Sequence, residues 1–244
     1  CRYAQAGRGT PIPLALLGLG LGLSLGLLSS TLQAQSLHPY ATLRLTHDDN
    51  LFRSPDANAV TDQRLRASAG LDALWRRGRQ RFVLGGELYR DQFRDYSTYD
   101  HTGAALDGQW LWQAGERWAG DLGYGYRRWL RDFANQAVPA KDIGERHRLS
   151  AEARRWLDAH WQLGLRVGGD DIRFSASPAL DKQRLSTRLR LEHQSLAGNR
   201  LGAQLLYRDV RFDDADLRDY HDLWAGPTVS WALSGKTRLE AEAG

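Results

Sequence analysis

Apolar and polar residues alternate along most of this chain. From Leu65 to Trp75, the residues Leu65, Ala67, Ala69, Leu71, Ala73 and Trp75 fall on one side, and Arg66, Ser68, Gly70 and Asp72 on the other. Trp161, Leu163, Leu165 and Val167 oppose Gln162, Gly164, Arg166, Gly168 and Asp170 in the same way. Leu185, Thr187, Leu189 and Leu191 oppose Arg184, Ser186, Arg188, Arg190 and Glu192. A period of two belongs to a β-strand. A helix would put Arg184, Arg188 and Leu191 on one face and leave no apolar stripe.

Tight-turn signals punctuate the strands at Gly78, Gly115, Asp158, Gly198 and Gly235, at intervals of 37, 43, 40 and 37 residues. Alternating segments on both sides of such a signal predict hairpins, and the regular interval predicts a repeated hairpin unit. The pattern predicts eleven strands, over about 40–46, 62–76, 80–90, 102–113, 118–129, 145–156, 161–170, 184–194, 200–209, 222–233 and 237–244. Pro227 falls inside the tenth, where it would remove a ladder donor, so a bulge or a shifted boundary is expected there.

Longer polar links, such as "THDDNLFRSPDANAVTD" and "RDQFRDYSTYDH", join the hairpins. Short turns thus alternate with long loops. That is the asymmetry of an outer-membrane barrel, and a soluble sandwich has no reason to sort its loops by length. Six of the nine tryptophans (Trp75, Trp112, Trp118, Trp156, Trp161 and Trp231) lie close to a short turn, as one interfacial belt would require. Tyr126 and Tyr207 are placed for a second belt. The predicted fold class is all-β, an antiparallel transmembrane outer-membrane β-barrel in contact with lipid.

The ends of the chain add a compartment. Arg2 and Arg8 precede an apolar run from Pro11 to Leu28 that is interrupted by Gly18, Gly20, Gly22, Ser24 and Gly26. "SSTLQAQS" follows, with Ala34 at a plausible cleavage position. This order of charged, apolar and small residues predicts a secretory signal peptide over 1–34 and a barrel over 35–244. An anchoring helix is the alternative, and the glycines argue against it. The missing initiator methionine, and an odd strand count where bacterial barrels close with an even one, predict that both ends of the sequence are shortened. Removal of the leader takes Cys1, so no disulfide is expected. The expected location is the outer membrane of a Gram-negative bacterium.

Composition changes little. The formal charge is +4, from 33 basic and 29 acidic residues. Lys141, Lys182 and Lys236 are the only lysines, and the remaining basic residues are arginines interleaved with acids. No basic block suggests a nucleic-acid partner.

Candidate chemistry lies at the rim and on the polar faces. "HDDN" at His47–Asn50, Asp100-His101, Asp213-Asp214 and His221-Asp222 have the make-up of a His/Asp dyad or a divalent-cation site. Asp and Asn also end strands because their side chains bond nearby backbone. No metalloprotease helix, nucleophile elbow or calcium-loop spacing occurs, so no catalytic residue, metal or cofactor is assigned. If the apolar faces meet lipid, Arg64, Arg66, Arg127, Arg148, Arg154, Arg166, Arg188 and Arg190 line the interior, with Asp72, Glu87, Asp107, Asp121, Glu152, Asp170 and Glu192. Such a lining needs water or a polymer inside. The arginines would form either a path for an anionic chain or a set of cross-strand ion pairs.

The stretches "HPYATLRLTHDDNLFRSPDA", "LDALWRRGRQRFVLGGELYRDQFRDYS", "WLWQAGERWAGDLGYGYRR" and "SLAGNRLGAQLLYRD" resemble the outer-membrane barrel of exosortase-associated exopolysaccharide operons, the EpsL type. The resemblance runs from about His38 to the end of the chain. It implies a non-enzymatic barrel for export or assembly of extracellular polysaccharide, working with periplasmic and inner-membrane export components. It carries no functional residues over to this sequence. The rivals are a structural or adhesive surface barrel with binding loops, and a barrel hydrolase using His47, His101 or His221.

Overall fold

The computed structural model describes residues 36–136, 138–213, 218–232 and 237–242. The predicted leader with Ala34, the turn at Gly235 and Asp214 lie outside the described residues. Eleven strands follow in order: β1 (Ser36–Asp48), β2 (Asp62–Arg77), β3 (Gln80–Phe93), β4 (His101–Ala114), β5 (Trp118–Leu130), β6 (Ile143–Trp156), β7 (Trp161–Phe174), β8 (Lys182–Gln194), β9 (Arg200–Phe212), β10 (Tyr220–Ala232) and β11 (Arg238–Glu242). They form one sheet in sequence order, every neighbour antiparallel. The fold is all-β, an up-and-down antiparallel sheet of the β-barrel type. Among the described residues β1 and β11 each have one neighbour.

All eleven predicted strands are present. The turn-side ends agree to within a few residues, and the loop-side ends run further. β3 reaches Phe93 and β7 reaches Phe174. The apolar stripe stops before the ladder does, because the ladder is made by backbone groups and tolerates Asp91 and Arg173 in its last pairs.

Register separates the two faces. Leu165, Leu189 and Leu205 pair in one row across β7, β8 and β9. They are 46%, 43% and 42% exposed. Leu43, Leu88 and Leu223 on the same face are 65–72% exposed. The opposite face carries the row His38, Asp72, Gly85, Asp107, Gly125, Arg148, Asp170 and Arg184 across β1 to β8. A cavity of about 610 Å³ is bounded by residues from β1 through β7, so the sheet curls around its polar side. This inverts the arrangement of a water-soluble domain, where the apolar side is enclosed.

The short turns rest on glycines the backbone requires. Gly78, Gly115 and Gly198 have φ of 57°, 62° and 80°. Neighbouring turns are tied together: the Arg79 guanidinium donates to the Gly115 carbonyl, and Trp110 Nε1 donates to Gln80 Oε1 at 2.8 Å.

Two expectations are corrected. Trp156 shares the polar face, paired with Gln162, so it does not belong to the outer aromatic belt. Pro227 causes no bulge. Its register with β9 runs unbroken through Ala203.

The apolar cluster with the least exposure lies at the loop end. Leu51, Phe93 and Phe133 are buried, with Phe52, Tyr96, Tyr99 and Leu130 packed on them. Phe52 meets Tyr96, Phe133 and Tyr99 edge-on at 5.1, 5.2 and 5.6 Å, and Tyr99 meets Phe133 at 4.7 Å. The first three long loops therefore pack on one another and are not simply polar links.

Candidate functional site

The eight arginines expected inside all project from the polar face of the sheet. They do not form a uniform ladder. Arg66 grips Asp91 with both Nε and Nη2 at 2.7 Å. Its guanidinium lies 4.0 Å above the Tyr89 ring, and that ring fills the space a side chain at Gly103 would need. Arg64 reaches the same carboxylate at 3.8 Å. Asp91 is fully buried and also faces His101 Nε2 at 3.5 Å. Arg148 meets Asp170 at 3.0 Å. Arg154 and Arg166 share Glu152 at 3.2 and 3.3 Å. Arg190 bonds Gln204 and lies 3.5 Å from Glu192. Arg127 and Asp107 are 3.9 Å apart and mostly exposed. Arg188 has no acidic partner among the described residues.

Arg184, already on the polar side of its alternating segment, and Arg146 join Arg148 around Asp170, with Nε–Oδ distances of 3.1 Å for Arg184 and 2.7 Å for Arg146. Arg146, Arg200 and Arg208 escaped the sequence reading. Arg208 pairs with Asp222 at 2.8 Å. Arg200 lies on the same face as Arg188. Each continues the alternation of its own strand, so parity alone would have found them.

The charges are unevenly spread over the strands. On β2 to β5, Asp72, Glu87, Asp107 and Asp121 stand among Arg64, Arg66, Arg81 and Arg127, whereas arginines dominate β6 to β9. Both walls face the 610 Å³ cavity, through Asp72, Arg81, Asp107 and Asp121 on one side and Arg148 and Arg166 on the other. A charged molecule in that space meets a field directed across the lumen.

At the rim, aspartates serve the backbone. Asp48 Oδ1 accepts the Asn50 N–H at 3.1 Å, and its carboxylate pairs with Arg53, whose φ is 53°. Asn50 closes the turn onto Ser54 through two bonds. The "HDDN" stretch is thus turn chemistry. Asp100, Asp181 and Asp219 each accept the N–H of a phenylalanine seven residues earlier (Phe93, Phe174 and Phe212), at 2.7 Å in all three loops. Asp62 and Asp142 instead reach the following long loop, at Asp95 and Ala176. His101 is buried against Asp91, while its Nδ1–H donates to the Tyr99 carbonyl at 3.1 Å. His47 and His221 stand on the outer face. Among the described residues no three His, Cys, Asp or Glu side chains are grouped as metal ligands.

No protein-family model matches the chain, and no curated protein matches it. Among solved structures, the β domain of the Bordetella autotransporter BrkA is similar over 86% of this chain and 91% of its own. The sequence identity is 18% and the TM-score 0.38.

Proposed function

We propose that this protein is a non-enzymatic outer-membrane β-barrel that serves export or assembly of an extracellular polysaccharide. One observation carries the membrane part: a single curved sheet exposes leucines on its convex face and shelters charges on its concave face. That pairing suits lipid outside and water or a hydrophilic polymer inside. Aromatic side chains at the turn-side ends of the outer face (Trp75, Phe82, Trp110, Trp118, Trp161 and Trp231) and at the loop side (Tyr126 and Tyr207) fit two interfacial belts. The polysaccharide part rests on the resemblance to the exosortase-associated barrels. The charged interior agrees with it, because a hydrated chain can exchange water for the groups lining the wall.

The test is deletion of the full-length gene in the source bacterium, with polysaccharide measured outside the cells and in the periplasm. Loss outside with accumulation inside supports export. Unchanged polymer in both places removes it. A second reading, an adhesive surface barrel, is favoured by the ordered aromatic and aspartate-tied loops. It requires wild-type export together with lost surface attachment in the same deletion strain. A rim hydrolase is the weaker rival, and it requires an activity that disappears when His47, His101 and His221 are all changed to Ala.

A further inference from the structure

The turn-side end of the arginine wall contains a small pocket of about 100 Å³ between β6, β7, β8 and β9. Gly164 pairs with Arg154 on one side and Arg190 on the other, so a residue without a side chain forms a gap between two guanidinium groups. Arg166 and Arg188 complete the walls and are directly opposite each other in the register. Like charges in a directly opposed pair oppose sheet formation. Glu152 relieves Arg166 and Arg154, and Glu192 lies beside Arg190. Arg188 and Arg200 have no acidic partner among the described residues, and both are only partly exposed. Five arginines against two glutamates leave three positive charges in excess in this pocket.

We propose that this pocket binds an oxyanion: a carboxylate, phosphate or sulfate group, either free or carried by an acidic glycan. Three lines converge. The space is several water volumes, enough for one such group and too small for a sugar chain. Planar guanidinium forks match the geometry of these anions. The sheet also retains an opposed arginine pair whose repulsion an anion would relieve. The pocket lies on the cavity side near the turn-side ends of the strands, so an anionic group on a polymer moving through that space would pass it. This deepens the proposed export role and rests on the polar face being the interior, but binding can be measured without any assay of export.

The experiment uses the full-length protein in detergent at low salt, titrated with inorganic phosphate, a polyuronate oligosaccharide and a neutral glucan. Calorimetry reads the binding. Trp156 fluorescence gives a second signal, since Trp156 pairs with Gln162 at the pocket. The expected result is binding of phosphate and polyuronate but not of glucan, weakened by added salt. Arg188→Gln with Arg200→Gln should weaken both anions about tenfold or more. Arg188→Lys, which keeps the charge, should lose less, and Arg127→Gln on the opposite wall should change little. Phosphate binding without polyuronate binding keeps the site and assigns it to free anions. Glucan binding as tight as polyuronate, or anion binding unchanged in the double variant, overturns the proposal. If deletion of the gene leaves polymer output intact while Arg188 and Arg200 still control anion binding, the export reading falls and the site stands.

Discussion

Asp91 has no exposed surface and accepts two bonds from Arg66, with Arg64 and His101 alongside. A buried carboxylate of this kind is tolerable only while its cations stay in place. Its removal takes the shared acceptor from Arg66 and Arg64, whose side chains are 29% and 39% exposed, at a cost of about 1–3 kcal/mol. Asp91→Ala should therefore lower the denaturant midpoint of the folded protein in detergent by that equivalent, whereas Asp107→Ala, from the exposed Arg127 pair, should cost less than about 1 kcal/mol. Equal losses in the two variants would show that Asp91 is not the anchor of its cluster. Asp158 makes a pH prediction at the same scale. The N–H groups of His160 and Trp161 both bond its carboxyl at 2.7 Å and hold its pKa below the ordinary 3.8. A depressed carboxyl stabilises the fold above its unfolded pKa and stops doing so as pH falls through the folded value. Amide exchange at His160 and Trp161, corrected for intrinsic rates, should therefore rise relative to neighbouring amides below about pH 3.8. Asp158→Ala should show fast exchange at every pH. Arg66 was legible from strand alternation. Asp91 was not, because it lies beyond Leu88, where the outward apolar stripe of β3 ends, and its role depends on register with β2 and β4.

The hairpins and loops follow two different logics. Each described turn glycine, at Gly78, Gly115 and Gly198, adopts positive φ, and a side chain there is strained by about 1 kcal/mol. The long loops are held by aspartates that precede the descending strands: Asp62, Asp100, Asp142, Asp181 and Asp219. Their spacing of 38, 42, 39 and 38 residues was visible in the chain, although what each side chain bonds was not. Asp181→Ala should release the Phe174 N–H, which donates to it at 2.7 Å, and cost about 1–3 kcal/mol locally. Amide exchange at Phe174 is the readout, and an unchanged rate would show that the bond does not hold the loop. Asp100→Ala should spread further, because Phe93 belongs to the aromatic cluster. Phe133→Ala should loosen three loops together and open them to protease. Cleavage confined to its own loop would show that the cluster is not cooperative. The aromatic cluster escaped prediction because its members come from separate loops with no shared period.

Across the whole molecule, the two faces of one strand make opposite demands. Leu189 points outward and Ser186 inward on β8. Leu189→Arg should reduce folding into lipid vesicles by about 2–4 kcal/mol, whereas Ser186→Asp, a charge directly opposite Arg208 on the inner face, should leave it nearly unchanged. Equal effects would contradict the assignment of lipid and lumen. The sequence by itself determined the number of strands, the face each residue takes and the positions of the tight turns. These depend on a period of two and on glycine at positive φ, both of which are local. Only the tertiary structure decided which charges meet. Pairing depends on the stagger between neighbouring strands, and parity leaves that stagger free in steps of two. The stagger brought three arginines to Asp170 and buried Asp91. It also set Arg166 against Arg188 beside the gap at Gly164.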